Sequence, residues 1–198
     1  MVDPRTAARL SYRALYVALA LFSLFVRLLP LSAAPQPWPL PETMLAAMPD
    51  WMMPAEWPGP DMLLCLTILW VQRRPDFVPA PLIATVFFLD DLMTMRPPGL
   101  WALIVLVGTE ILRARETGMR DLPFWGEWLV GGLVMAAMVL AYRFALALFL
   151  VPGVSLGPAI LNLLATVALY PLLALALQVA FGLSRTATGE VDALGQRL

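Results

Sequence analysis

Strongly apolar segments recur along the whole chain, and a soluble fold of this size has too little interior to bury them. Apolar residues make up 61% of the 198 residues, whereas soluble globular domains contain about 45–50%. Charged residues make up only 14% of the chain, about half of the usual quarter, so a well-solvated surface is also missing. The sequence therefore predicts an all-α integral membrane protein in which residues 1–198 form a single membrane domain.

Six apolar segments are candidates for transmembrane helices. They cover residues 14–29, 62–71, 77–89, 99–112, 124–151 and 156–183. The second and third segments have 10 and 13 residues, fewer than the roughly 20 that a membrane-crossing helix needs. They either extend into the flanking polar residues or form a re-entrant hairpin. Because a hairpin would leave Arg73 and Arg74 at mid-membrane, at roughly 2.5–3.5 kcal/mol each, we expect two full spans and six spans in total.

The distribution of arginine predicts how these six spans are oriented. All 13 basic residues are arginine, and when the spans alternate in direction, one side of the membrane receives Arg5, Arg9, Arg13, Arg73, Arg74, Arg113, Arg115, Arg120, Arg185 and Arg197. Only Arg27 and Arg96 fall on the other side, with Arg143 inside the fifth span. Cytoplasmic loops carry an excess of basic residues. We therefore expect a cytoplasmic N-terminus (1–13), a cytoplasmic tail (184–198) and a proline-rich periplasmic loop (32–60).

Three absences from the composition exclude several kinds of chemistry. The chain contains no histidine, which removes Ser-His-Asp triads and imidazole metal ligands. It contains no lysine, which removes phosphate-loop lysines and Schiff bases. The single cysteine, Cys65, cannot form an internal disulfide. We expect no enzymatic activity, no catalytic residue, no metal, no cofactor and no nucleic-acid partner.

Ionisable side chains at the ends of the spans are the first candidates for structural or partner contacts. Asp61 begins the second span, and Asp90 and Asp91 close the third. Arg143 lies 18 residues beyond Trp125, about 27 Å along a helix, which places it near the same membrane face. We expect Arg143 to pair with Asp91 or Asp90. The alternative is that each carboxylate meets lipid headgroups and water, or, for Asp61, caps a helix.

Asn162 completes the set of candidate residues. Asn162, Thr166 and Tyr170 recur at four-residue spacing, so they share one face of the sixth span, which should look into the helix bundle. Packing between helices is the favoured interpretation of this stripe. The other interpretation is that it lines a substrate pocket.

Residues 59–115 contain an ordered set of short motifs. These are an opening Pro60-Asp61, an Arg74-Pro75 turn after the second span, an Asp91-Leu92 pair closing the third, and a fourth span that starts with Pro97, Gly99, Leu100, Ala102 and Leu103. In their order and spacing they resemble the rod shape-determining protein MreD family, over about a third of the chain. Many members have a glycine four residues before that aspartate, where this chain has Phe87.

The resemblance implies a multi-pass protein of the bacterial inner membrane that acts as a scaffold in the cell-elongation machinery for peptidoglycan synthesis and rod shape. It implies MreC, MreB, the RodA glycosyltransferase and its penicillin-binding transpeptidase as partners. It also implies a fold like that of the substrate-binding subunits of energy-coupling-factor transporters. The alternative is a small-molecule-binding membrane transport subunit. A polar, ligand-sized cavity open to the periplasm would favour this alternative, and a closed apolar interior would favour the scaffold.

Overall fold

The computed structural model describes residues 4–29, 59–115, 122–151 and 156–182, together with the single positions 43 and 118. These residues include six α-helices. The helices are α1 (Pro4–Leu28), α2 (Met62–Arg73), α3 (Ala80–Met93), α4 (Leu100–Ala114), α5 (Phe124–Leu148) and α6 (Leu156–Phe181), and a 3-10 turn covers Pro75–Phe77. The described part of the chain contains no β-strand, so the all-α class is confirmed.

The six helices fall into two groups by length. Helices α1, α5 and α6 have 25, 25 and 26 residues, and all three contain stretches long and apolar enough to cross a membrane. Helices α2, α3 and α4 have only 12, 14 and 15 residues, which correspond to about 18, 21 and 22 Å of helix. Three helices of the fold thus have the length and composition expected of a membrane protein.

The predicted segments agree with most helix bounds and differ at two places. Helices α4, α5 and α6 start and end within three residues of the prediction. Helix α1 begins at Pro4, ten residues earlier than expected, because a proline is well tolerated in the first turn and nothing after it interrupts the helix. Helix α3 ends at Met93 and so includes Asp90 and Asp91. Most of the predicted loop 32–60, and the tail 184–198, lie outside the described residues.

Two groups of charged side chains mark the two ends of the bundle. At one end, Arg27 in the last turn of α1 lies 3.1 Å from Asp90 in the last turn of α3 (Nη1 to Oδ1). At the other, Arg73 in the last turn of α2 lies 3.0 Å from Glu127 in the first turn of α5 (Nε to Oε1). We call these the Asp90 end and the Glu127 end.

Successive helices run in opposite directions between the two ends. The α3–α4 turn lies at the Asp90 end, where the Gly99 N–H donates to Asp91. The beginning of α1 and the end of α6 meet at the opposite end, where the Tyr12 hydroxyl donates to the Phe181 carbonyl at 3.4 Å. The first and last helices therefore place their outer ends on the same side of the bundle.

Helix α2 occupies the centre of the bundle. It contacts α1, α4, α5 and α6, and residues 63–71 are buried on every face of the helix. A helix that is apolar all round is expected to be enclosed by protein or lipid. Close approach of α5 makes this possible, because a Cβ at Gly131 would lie 3.1 Å from Gln72 Oε1 and 3.3 Å from Tyr170 Cε2. A small residue in α5 thus permits the tight packing of this helix against α2 and α6.

Candidate functional site

The Asp90 cluster consists of Arg27, Asp61, Asp90, Asp91 and Arg96. Asp90 is fully buried. Its Oδ1 accepts from Arg27 Nη1 at 3.1 Å, and its Oδ2 accepts from both Arg27 Nη1 and Arg96 Nη1 at 3.4 Å. Arg27 Nη1 also lies 3.9 Å from Asp61 Oδ2. Burying a carboxylate is costly unless it is paired or hydrogen-bonded. Asp90 has two cationic partners, Arg27 and Arg96, which tie the end of α1 to the α3–α4 connection.

Asp91 caps the neighbouring helix. Its Oδ2 accepts from the Gly99 N–H at 2.9 Å and the Ala102 N–H at 3.2 Å. We expected Arg143 to pair with Asp91 or Asp90, and the structure instead gives Asp91 backbone donors at the start of α4. The short α3–α4 turn explains the difference, because it brings the unpaired, partly positive N–H groups of the α4 N-terminus directly to this carboxylate.

Asp61 joins α2 to the polar stripe of α6. Its Oδ1 accepts from the Leu64 N–H at 3.0 Å, which confirms the helix cap. Its own N–H donates to Thr166 Oγ1 at 2.8 Å, and this hydroxyl donates to the Asn162 carbonyl at 2.7 Å. The Asn162 amide donates to the Gly59 carbonyl. The stripe therefore looks into the bundle as predicted, and this part of it serves helix packing.

The Glu127 cluster is a second, more deeply buried network. The side chains of Arg73 and Glu127 are only 5% and 1% exposed and form an ion pair at 3.0 Å. The Tyr170 hydroxyl lies 2.7 Å from Glu127 Oε1 and 2.6 Å from Gln72 Oε1. Gln72 Nε2 donates to the Glu127 carbonyl at 3.1 Å, and Arg73 Nη1 donates to the Ala174 carbonyl at 3.4 Å. This network fastens the end of α2 to α5 and α6.

The sequence did not predict this network. Glu110 lies near the end of the fourth predicted span and Glu127 near the start of the fifth, so the sequence alone predicts ordinary helix-end residues at both positions. That expectation holds for Glu110, which is half exposed and pairs with Arg113 at 2.7 Å within α4. It is wrong for Glu127. A usable signal was the spacing of Glu127 and Gly131, which puts the carboxylate on the face of α5 that approaches other helices most closely.

A partly open cavity of about 630 Å³ lies at the Asp90 end. Its polar lining is formed by Arg27, Asp61, Thr94, Arg96, Trp101, Tyr142, Arg143 and Asn162, and its apolar lining includes Leu64, Val139, Leu146 and Val151. Three of the four predicted site residues, Asp61, Arg143 and Asn162, line this cavity. The fourth, Asp91, is fully buried.

The cavity is lined by guanidinium, indole, phenol and amide groups, which can donate hydrogen bonds to polar or anionic ligands. Within the described ranges, no group of three or more histidine, cysteine or acidic side chains is arranged to hold a metal ion. No protein-family model, no curated protein and no solved structure matches the chain. Its function has to be inferred from the two clusters, the cavity and the motifs in residues 59–115.

Proposed function

We propose that this chain is a membrane scaffold of the bacterial cell-elongation machinery, which builds peptidoglycan and determines rod shape. The observation that carries the proposal is the ordered set of motifs in residues 59–115. Two of the motif carboxylates hold helix starts, Asp61 that of α2 and Asp91 that of α4. Because these motif residues cap helices, they support a shared architecture with the MreD family. The same resemblance supports a fold like that of energy-coupling-factor substrate-binding subunits.

We further propose six spans, with the Asp90 end facing the periplasm of a bacterial inner membrane. Among the described arginines, Arg27, Arg96 and Arg143 lie at this end, whereas Arg9, Arg13, Arg73, Arg74, Arg113 and Arg115 belong to the helix ends on the opposite side. The positive-inside rule then makes both termini cytoplasmic. The short α2 is compatible with this arrangement because protein, not lipid, surrounds it.

The proposed partners are MreC, MreB, the RodA glycosyltransferase and its penicillin-binding transpeptidase. Large apolar side chains face outward along α5, among them Leu133 and Phe144. In a membrane, such a face contacts either lipid or the helices of a partner. A scaffold acts through contacts of this kind, so its activity does not require a reaction centre.

Depletion of the protein in its native cell tests the scaffold proposal. We expect rods to become round and MreC to co-purify with a tagged copy of the chain. A copy carrying Asn162→Leu should restore rod growth, because it loses only the hydrogen bond from Asn162 to the Gly59 carbonyl before α2, and such a bond contributes about 1 kcal/mol. Normal rods after depletion, with no MreC recovered, would refute the proposal.

The cavity favours a second candidate, a small-molecule-binding membrane transport subunit. Its volume of about 630 Å³ falls within the range of about 300–1,000 Å³ typical of ligand pockets. Filling it with Ala159→Phe tests this candidate. Loss of cell function with protein level and complex assembly unchanged would support ligand binding, and full function would contradict it.

A further inference from the structure

We propose that the cavity at the Asp90 end binds the phosphate group of an amphiphile, with the apolar part lying along the apolar wall. This inference rests on the second candidate function, a ligand-binding cavity, and names the chemistry of its ligand. It does not depend on the partnership with elongation proteins.

The charge that the cavity presents is mainly positive, although carboxylates lie nearby. Asp90 and Asp91 are fully buried behind the wall. Asp61 lines the cavity, but its side chain is only 8% exposed, and Oδ1 accepts from the start of α2. The side chains of Arg27 and Arg96 are 35% and 25% exposed. The buried acids thus hold the two arginines, whose side chains form part of the cavity lining.

These arginines keep donors for a ligand. The contacts of Arg27 and Arg96 with Asp90 use only Nη1 of each group, and a guanidinium has five N–H donors. Arg96 also lies over the Trp101 ring, with 5.7 Å from its Cζ to the ring centroid, which fixes the orientation of its planar head. Arg143 brings a third guanidinium to the same lining. A guanidinium group presents a planar set of donors that matches the geometry of phosphate oxygens.

The apolar side of the cavity points to an amphiphile. Leu64, Val139 and Leu146 line it from α2 and α5. At its rim, Met95 has a φ of +55° and is 96% exposed. A non-glycine residue in the left-handed region is uncommon, and such residues concentrate at binding sites. An exposed methionine beside polar donors gives the entrance an apolar edge, as expected where a chain enters from the membrane interface.

Lipid binding to the purified full-length chain in a non-ionic detergent tests the inference. Native mass spectrometry would follow titration with dioleoyl phosphatidate, with dioleoylglycerol, which has the same chains without phosphate, and with inorganic phosphate. We expect phosphatidate to bind and dioleoylglycerol to bind at least about tenfold more weakly, which corresponds to about 1.4 kcal/mol. If inorganic phosphate displaces phosphatidate at a similar affinity, the result would still support recognition of phosphate in the cavity. The natural ligand would then be a soluble phosphate compound, not a lipid.

Three variants test whether phosphatidate binds in this cavity. Arg143→Gln should weaken phosphatidate binding at least about tenfold, since charge-assisted contacts are the strong ones. Ala159→Phe should weaken it by filling the cavity lined by Ala159 without removing a charge, so a folding defect of one variant leaves the other informative. Arg115→Gln, an exposed arginine at the far end of α4, is the matched control and should leave binding within about twofold.

Equal binding of phosphatidate and dioleoylglycerol would overturn the inference. Equal losses of phosphatidate affinity in Arg143→Gln and Arg115→Gln would overturn it as well. Failure here is distinguishable from failure of the function on which it rests. If Ala159→Phe disrupts function in the cell while phosphatidate does not bind, the cavity binds a ligand of another class. A failure of MreC to co-purify leaves the lipid result unchanged.

Discussion

Replacing Glu127 with glutamine should destabilise the protein more than any comparable change at an exposed carboxylate. The substitution keeps the size of the side chain and an oxygen that can accept from Tyr170, 2.7 Å away in the native protein. It removes the negative charge facing Arg73, whose side chain is only 5% exposed. Breaking a buried ion pair at one partner costs about 3–5 kcal/mol, because the remaining charge is uncompensated.

The surroundings of Arg73 reduce that cost. Its Nη1 still donates to the Ala174 carbonyl at 3.4 Å, and a contact of this kind retains roughly 1 kcal/mol. We therefore expect a loss of about 2–4 kcal/mol in the free energy of unfolding, or roughly 30- to 1,000-fold in the ratio of folded to unfolded protein. The assay is unfolding of the purified protein in maltoside micelles by increasing SDS, followed by the fluorescence of its 7 tryptophans.

Glu110→Gln is the matched control. It makes the same chemical change in a pair with Arg113, where Glu110 is 49% exposed, so its cost should stay within about 1 kcal/mol. The double variant Arg73→Gln/Glu127→Gln should lose less unfolding free energy than the sum of the losses in its two single variants. In the double variant, neither charge remains buried opposite a neutral partner. Equal losses in Glu127→Gln and Glu110→Gln, or strictly additive losses in the double variant, would refute this account of the network.

Three further outcomes follow from the Asp90 end. Asp91→Asn should cost about 1 kcal/mol of unfolding free energy, as the loss of a charged helix cap does, and combining it with Arg143→Gln should give additive losses in the SDS assay. Asn162→Leu should cost about 1 kcal/mol in the same assay, from the lost hydrogen bond to the Gly59 carbonyl. In a background with Cys65 replaced by serine, a cysteine at the exposed Met95 should react in intact cells with a membrane-impermeant maleimide.

Each of these three predictions would be contradicted by a specific result. Recovery of stability in the Asp91→Asn/Arg143→Gln variant would show that the two side chains form a pair, as the sequence first predicted. A loss of several kcal/mol in Asn162→Leu would show that the stripe in α6 does more than pack helices. Labelling at position 95 only after the cells are opened would reverse the proposed orientation.

The lengths of the apolar segments were enough to predict the helices but not the partners of their polar ends. The extents of α4, α5 and α6 followed from apolar length alone. The cap at Asp61 was also predictable, because an aspartate before a helix accepts from N–H groups only a few residues away. Both features depend on residues close together in the sequence.

The polar contacts that were missed depend on residues far apart in the sequence. Arg73 and Glu127 are separated by 54 positions, and Glu127 and Tyr170 by 43. The rotation and packing of the helices determine which acidic side chain pairs with which arginine. The apolar segments do not specify that rotation or packing. Asp91 was missed for a different reason. Its contacts with Gly99 and Ala102 span only 8 and 11 positions, but they depend on the shape of the short α3–α4 turn, which the apolar segments do not specify.

The contrast between short and long helices has a consequence for the surrounding lipid. Helices α3 and α4 expose apolar side chains such as Phe88 and Val107 on segments of about 21–22 Å, whereas α5 and α6 are about 37–39 Å long. In the proposed six-span arrangement, lipid beside α3 and α4 must compress, at a cost of a fraction of a kcal/mol per Å. Two proteins with matching thin sides share one compressed region when they meet. Bilayer elasticity alone would then draw partners toward the α3–α4 side of this molecule.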